Sequence, residues 1–217
     1  MILMQALIFD LDGVIVDTAK FHYLAWKDMA ADLDIMFSEE QNEDLKGVSR
    51  IDSLNYILDL GKLSKTSQEI NTLAEAKNDH YLKLISNINR SEILPGVENL
   101  IITAREKGLK IALGSSSKNA RVILEKLNLI QYFDAIVDGT KTTKGKPHPQ
   151  VFNMGAQALK VDPAKTVVFE DAIKGVRAAK AGGFKCIGVG TWENLMQADY
   201  VIEGFADFKF SDLERIY

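Results

Sequence analysis

Asp10 and Asp12 stand two residues apart in LIFDLDGVIVDT (Leu7 to Thr18), directly after an apolar run. Further along come three adjoining hydroxyls in GSSSKN (Ser115, Ser116, Ser117), a lysine in GKPHP (Lys146) and the acid pair Glu170–Asp171 after TVVF. Four carboxylates brought together repel one another, so either some are protonated or a cation lies among them, and the cation costs less. Hard oxygen ligands of this kind suit Mg²⁺, which takes a couple of carboxylates and completes its octahedron with water and phosphate oxygens. Each piece also has a plainer reading. Asp-x-Asp-Gly is common turn sequence. The serines with Asn119 could cap a helix, although a helix N-terminus also offers free N–H groups to an anion. Lys146 could be a solvated loop lysine, and Glu170 and Asp171 could be surface acids.

Whether these groups meet depends on the elements that carry them. Short, nearly continuous apolar runs recur at ALIFD (Ala6 to Asp10), LKIALG (Leu109 to Gly114), AIVDG (Ala135 to Gly139), TVVFED (Thr166 to Asp171), KCIGVG (Lys185 to Gly190) and DYVIEG (Asp199 to Gly204). Such runs are typical of strands buried on both faces. Helix-length segments separate them: GVENLIITAREKG places Val97, Leu100, Ile101 and Ala104 on one face and stops at Gly108, and AIKGVRAAKAGG ends in paired glycines. Alternating strand and helix predicts an α/β fold, a doubly wound parallel sheet. Residues 18–93 interrupt the alternation with helical periodicity and no buried-strand run, so they read as a helical domain inserted after the first strand. The sheet domain is then 1–17 and 94–217, re-entered at Pro95-Gly96. Ligands of open parallel sheets bind beyond the carboxyl ends of the strands, and the acids, hydroxyls and Lys146 all follow strands.

The 217 residues, 47% hydrophobic, can bury a sizeable core, while the formal charge of −4 and the lack of a basic block argue against nucleic acid. The single cysteine, Cys186, lies in an apolar run, so it is expected to pack in a strand, as suits a reducing cytoplasm. The start of the chain carries no basic leader, and no uncharged apolar stretch approaches the roughly 18 residues that span a bilayer, so no membrane association is expected. GTKTTKGKP has five residues between Gly139 and Gly145 and a proline after Lys146, so it is not a P-loop, and GVGTWE lacks the third glycine of a dinucleotide fingerprint.

The order DLDGV, LGSSS, GKP, ED resembles the four motifs of the haloacid dehalogenase superfamily, and the helical insertion looks like that superfamily's cap. FDLDGVIVDTAKFHYLAWK, LKGVSRIDSLNYIL, AKNDHY, IALGSSSKN and YFDAI extend the likeness along most of the chain to the β-glucose phosphomutases of that superfamily. That resemblance implies transfer of a phosphoryl group between the C1 and C6 oxygens of β-glucose, by way of β-glucose 1,6-bisphosphate. Asp10 would be the nucleophile that becomes an aspartyl phosphate and Asp12 the general acid and base. Mg²⁺ would be held by Asp10, the backbone carbonyl of Asp12, Glu170 and Asp171. Ser115 and Lys146 would hold the moving phosphoryl group, with Ser116, Ser117, Lys118 and Asn119 close by. In the cap, Arg50 would grip the second phosphate, Leu45, Gly47, Val48 and Ser49 would line the sugar pocket, and Thr18, His22, Trp26 and Lys77 would contact substrate, aid closure or position Asp12. The plain alternatives are a core aromatic for Trp26 and a surface residue for His22. A monomer acting on a small sugar phosphate in the cytoplasm is expected. Ala172, His148 and Gln150 depart from the mutase pattern, at positions to which no chemistry is assigned.

Three rivals remain. A sugar-phosphate phosphatase of the same superfamily would share every core residue, but would not need Arg50, Lys77 and the KGVSR loop for a second phosphate. A phospho-accepting receiver domain would be about half this length and would carry its acid after the third strand. A catalytically dead binding protein would have no need of intact acids and Lys146.

Overall fold

Six short apolar runs become six strands, the central ones buried along nearly their whole length and the last, at an edge of the sheet, only in part. In the computed structural model, which describes residues 4–216, these are β1 (Ala6–Phe9), β2 (Lys110–Gly114), β3 (Ala135–Val137), β4 (Thr166–Glu170), β5 (Lys185–Val189) and β6 (Tyr200–Ile202). Residues 1–3 and 217, assigned to the sheet domain from sequence, lie outside the described residues. The strands form one parallel sheet in the order β3-β2-β1-β4-β5-β6. Phe9 is level with Leu113 on one side and Phe169 on the other, so Asp10, Gly114 and Glu170 emerge at one height.

Side-chain alternation along β1 divides the core between the two faces. Leu7 and Phe9 pack with Ile111, Leu113, Val167 and Phe169 on one side, where the Phe9 and Phe169 rings stack at 4.8 Å. Ala6 and Ile8 pack with Ala112, Val168 and Cys186 on the other, so Cys186 is the strand residue expected. Burying Phe9 alone contributes about 1.5–3 kcal/mol.

The insertion between β1 and β2 contains α1 (Ala19–Ala31), α2 (Glu39–Glu43), α3 (Arg50–Leu60) and α4 (Ser67–Leu84), followed by α5 (Val97–Glu106) at the return to the sheet. Its own apolar cluster joins Trp26 and Met29 of α1 to Leu54, Ile57 and Leu58 of α3 and Ala74 of α4. Ser49 caps α3 by accepting the Asp52 N–H at 3.3 Å, and Thr66 and Glu69 form a reciprocal capping box on α4. The remaining helices flank the strands: α6 (Ala120–Lys126), α7 (Gln150–Leu159), α8 (Ile173–Ala181), α9 (Trp192–Leu195) and α10 (Phe210–Ile216). Val97, Leu100, Ile101 and Ala104 of α5 are buried as their spacing predicts, and Gly108 and Gly183 follow α5 and α8 with positive φ. Among the described residues, no helix is long and apolar enough to cross a membrane.

Candidate active site

The floor of the site is built on the central strands. Asp10 follows β1, its N–H donates to the Phe169 carbonyl at 3.0 Å, and its Oδ1 lies 2.8 Å from Lys146 Nζ. Lys146 also pairs with Glu170, and both side chains are fully buried, which removes the solvated-lysine reading and, for Glu170, the surface-acid reading. Desolvation alone would lower the Lys146 ammonium, but Asp10 and Glu170 outweigh it and hold it above its ordinary value. Burial pushes Glu170 up to about 7 against the pull of Lys146, with Asp10 adding to the rise. Burial, then Glu170 and Asp10, hold Asp171 well above the usual carboxylate range.

Carboxylate oxygens of Asp10, Glu170 and Asp171 lie within 4.8 Å of one another. Three acids against one ammonium leave an excess of negative charge in a poorly solvated place, and the donor set is all hard oxygen; both facts fit a divalent cation such as Mg²⁺. Two glycines make the cluster possible. A Cβ on Gly13, whose φ is +78°, would stand 2.1 Å from Asp171 Oδ2, and one on Gly175 would stand 1.9 Å from the Glu170 carboxyl.

Asp12 lies outside that cluster and is held from the cap side. Thr18 Oγ1 donates to its carboxyl, and His22 Nε2 is 3.8 Å away. Burial, then the neighbouring Asp10, push Asp12 up to about 6, while Thr18, Lys146 and Lys77 pull the other way. His22 Nδ1 is 3.1 Å from Lys77 Nζ, so a charged Lys77 donates to Nδ1 and leaves the ring hydrogen on Nε2, facing Asp12. The His22 ring is clamped on Tyr81 at 4.1 Å, and Lys77 Nζ sits 4.2 Å from the Trp26 ring. Burial, then Arg50, bring Lys77 down to about 7, and burial, then Lys77 and Arg50, hold His22 well below its usual value. Trp26 therefore satisfies both of its readings, as a core aromatic that is also a wall of the site.

Opposite the floor, a second polar corner joins the inserted helices to the loop after β2. Arg50 opens α3, and its Nη2 donates to Asn78 Oδ1 of α4 at 2.7 Å. Asn119 Nδ2, from the sheet domain, donates to the same oxygen at 2.9 Å. Ser116 Oγ donates to the Gly47 carbonyl at 3.0 Å, a further bond between sheet domain and cap. Ser115 and Ser117 accept the N–H groups of Ser117 and Asn119 at 3.0 and 3.2 Å, which holds the loop. The helix-cap reading is corrected here: α6 has Asn119 at its N-cap with no side-chain cap bond.

A cavity of about 720 Å³ joins floor and corner, lined by Asp10, Asp12, Asp171, His22, Trp26, Lys77, Leu45, Gly47, Val48, Ser49, Arg50, Ser115, Ser116, Ser117, Lys118 and Asn119. Lys146 and Glu170 lie beneath Asp10 rather than on the wall. Thr18, expected among the substrate-binding residues, is fully buried with its hydroxyl committed to Asp12, so it supports that carboxyl. Ser49 lines the cavity while its hydroxyl donates to Asp52 at 2.6 Å.

Asn78, Tyr81, Gly175 and the threonines Thr140, Thr142 and Thr143 of the wall were not singled out from sequence. Gln150, noted only as a departure, accepts the Thr143 and Lys144 N–H groups at 3.0 and 2.8 Å and so fixes the loop that delivers Lys146. His148 Nδ1 accepts the Gln150 N–H at 3.2 Å, and Ala172 donates its N–H to Glu170 at 2.8 Å.

Residues 7–189 match the family model described as haloacid dehalogenase-like hydrolase. The chain is 44% identical over 206 residues to the beta-phosphoglucomutase of Bacillus subtilis, across 94% of this chain and 91% of that one. It is 28% identical over 186 residues to the phosphorylated carbohydrates phosphatase of Thermotoga maritima, across 85% of this chain and 84% of that one. The crystal structure of beta-phosphoglucomutase from Clostridium difficile superposes with a TM-score of 0.96 at 41% identity, covering 99% of this chain and 97% of that one.

Proposed function

The chain belongs to the haloacid dehalogenase-like hydrolase family, and on that premise we propose that it is a phosphomutase interconverting β-D-glucose 1-phosphate and β-D-glucose 6-phosphate. The observation that carries this reading is the pairing of Asp10 with a second cationic corner, Arg50 beside Asn119, in one cavity. A hydrolase acting on one phosphate has no use for the second corner; a bisphosphate intermediate needs both.

In the proposed cycle the Asp10 carboxylate attacks phosphorus of β-glucose 1,6-bisphosphate. A bond forms between Asp10 oxygen and phosphorus, the bond from phosphorus to the sugar oxygen breaks, and Asp12 gives that oxygen its proton. The reverse step runs on the other end of the sugar: Asp12 takes the hydroxyl proton while the oxygen bonds to phosphorus of the aspartyl phosphate and the bond from phosphorus to Asp10 breaks, returning the free carboxylate. A carboxyl pushed up to about 6 can serve as both acid and base near neutrality. Lys146 holds positive charge under Asp10, and Ser115 offers a hydroxyl to the phosphoryl oxygens. Asp10, Glu170 and Asp171, with the Asp12 carbonyl, would hold Mg²⁺, which supplies further positive charge against those oxygens. The cap keeps water from the aspartyl phosphate while sugar is bound, which separates a mutase from a phosphatase.

The proposal includes a monomer working in the cytoplasm on a small sugar phosphate, with neither nucleic acid nor membrane as partner. The test is formation of glucose 6-phosphate from β-glucose 1-phosphate with Mg²⁺ and a trace of the bisphosphate, with free phosphate followed in parallel. Glucose 6-phosphate far ahead of free phosphate is the expected result. Free phosphate alone would assign the site to a sugar-phosphate phosphatase.

A further inference from the structure

We propose that Asn78 is a positioning residue for the phosphate that is not being transferred, and that its neutrality is the property that matters. The proposal rests on the mutase reading, because only a bisphosphate or a turned-around monophosphate brings a phosphate to the Arg50 corner.

Arginine has no acceptor atom, so the Asn78 atom facing Arg50 Nη2 at 2.7 Å must be the amide oxygen. The same oxygen then requires that Asn119 present its NH2 group, at 2.9 Å. One oxygen on α4 thus sets the rotation of two side chains, one from the cap and one from the sheet domain, and turns both amides unambiguously. Asn78 lies on the cavity wall between them, beside Lys118 and the serine loop.

Chemistry explains why an amide stands there. A carboxylate would accept the same two hydrogen bonds, but it would also neutralise Arg50 and repel an incoming phosphate. An amide orients the guanidinium and leaves its charge, and its remaining N–H groups, for the ligand. Two acids, Asp79 and Glu75, also act on Arg50 behind its desolvation, and Glu75 lines the same cavity, but the hydrogen bond to the guanidinium comes from the Asn78 amide. With Arg50 and Asn119 already gathered on one atom, a phosphate entering the corner meets donors from both domains at once. Less ordering is then left to occur on binding.

The experiment compares Asn78→Asp, Asn78→Ala and Arg50→Ala with wild type, using β-glucose 1,6-bisphosphate and, separately, acetyl phosphate, which has a single phosphate. Asn78→Asp keeps shape and both hydrogen bonds, so a merely structural role predicts near wild-type kinetics and thermal stability. The positioning role predicts that Asn78→Asp raises KM for the bisphosphate about a hundredfold, and Asn78→Ala about tenfold. Phosphorylation of Asp10 by acetyl phosphate should fall far less in both. If Arg50→Ala damages bisphosphate use while Asn78→Asp leaves its KM within about twofold of wild type, the role of Asn78 is overturned and the mutase reading stands. Equal losses with both phosphoryl donors would also overturn it, as damage to the whole site. If Arg50→Ala itself spares the bisphosphate, the mutase reading fails and the Asn78 proposal falls with it.

Discussion

The floor and the far corner of the cavity handle charge in opposite ways. On the floor, Lys146 is saturated by Asp10 and Glu170, and the acids in turn crowd one another until burial raises Glu170 and Asp171. In the corner, Arg50 rests on an amide, and Lys77 on an imidazole and an indole face. The floor is a place where charges are compensated by the protein or by a cation; the corner keeps its cations in need of an anion. A site with both can hold a group that reacts and a group that only anchors, and the anchoring group is what a turned-around sugar would present at either end.

The sharpest way to break the contrast is at the floor. Asp10→Asn should abolish labelling of the protein by a phosphoryl donor, and a labelled variant would remove Asp10 as nucleophile. Excess chelator should likewise stop turnover, and Mg²⁺ added back should restore it; undiminished rates would mean that the acid cluster is balanced without a metal. In the corner the expected loss is selective. Arg50→Ala should cost about a hundredfold in kcat/KM for the bisphosphate and little with a small aryl phosphate, and parallel losses would erase the difference between the two regions. Smaller again is Gly175→Ala. Its Cβ would collide with the Glu170 carboxyl, so Mg²⁺ affinity, read by titration calorimetry, should weaken about 10–100-fold.

The smallest effect concerns Lys77, whose ammonium is brought from an ordinary 10.5 down to about 7. Above about pH 10.5 both folded and unfolded chains have released this proton; between the two values only the unfolded chain holds it, so stability rises with pH across that window. The cost of the buried charge is fully present below pH 7. Lys77→Met should therefore exceed wild type in urea midpoint most clearly at or below pH 7, with the gap closing toward pH 10. A gap that widens with pH would show that Lys77 is paired rather than strained.

The two regions also differed in how far they could be read from sequence. Asp10 and Ser115 directly follow apolar strands and Glu170 ends one, so these three announce themselves by position, and six parallel strands follow from six apolar runs. Corner residues are polar groups on polar helices. Asn78 resembles any solvated helix residue until the fold sets it beside Asn119, 41 positions later. Gly175 resembles a weak point in a helix, and its use is visible only once the Glu170 side chain is placed. Gln150 stands out only as a departure from a pattern, and its role depends on the path of the Thr143–Lys144 backbone. Thr18 gives no sign in sequence of turning inward to Asp12. Hydrophobic period reports local burial, whereas these contacts depend on where individual side chains and loops come to lie once the chain has folded.

The central position of β1 has a consequence for the protein's birth at the ribosome. β1 is made before the other five strands of its sheet, yet its register partners begin at Lys110 on one side and Thr166 on the other. At ordinary elongation speeds the strand that leads into Asp10 waits roughly 8–32 s for its second neighbour. Until β2 is made ALIF has two unpaired backbone edges, and until β4 is made it has one, while the helices of the insertion can already gather around Trp26 and Leu54. The chain is thus most exposed to wrong pairing just when its cap is ready and its sheet is not, and a nascent chain stopped before residue 166 holds Asp10 without a site around it.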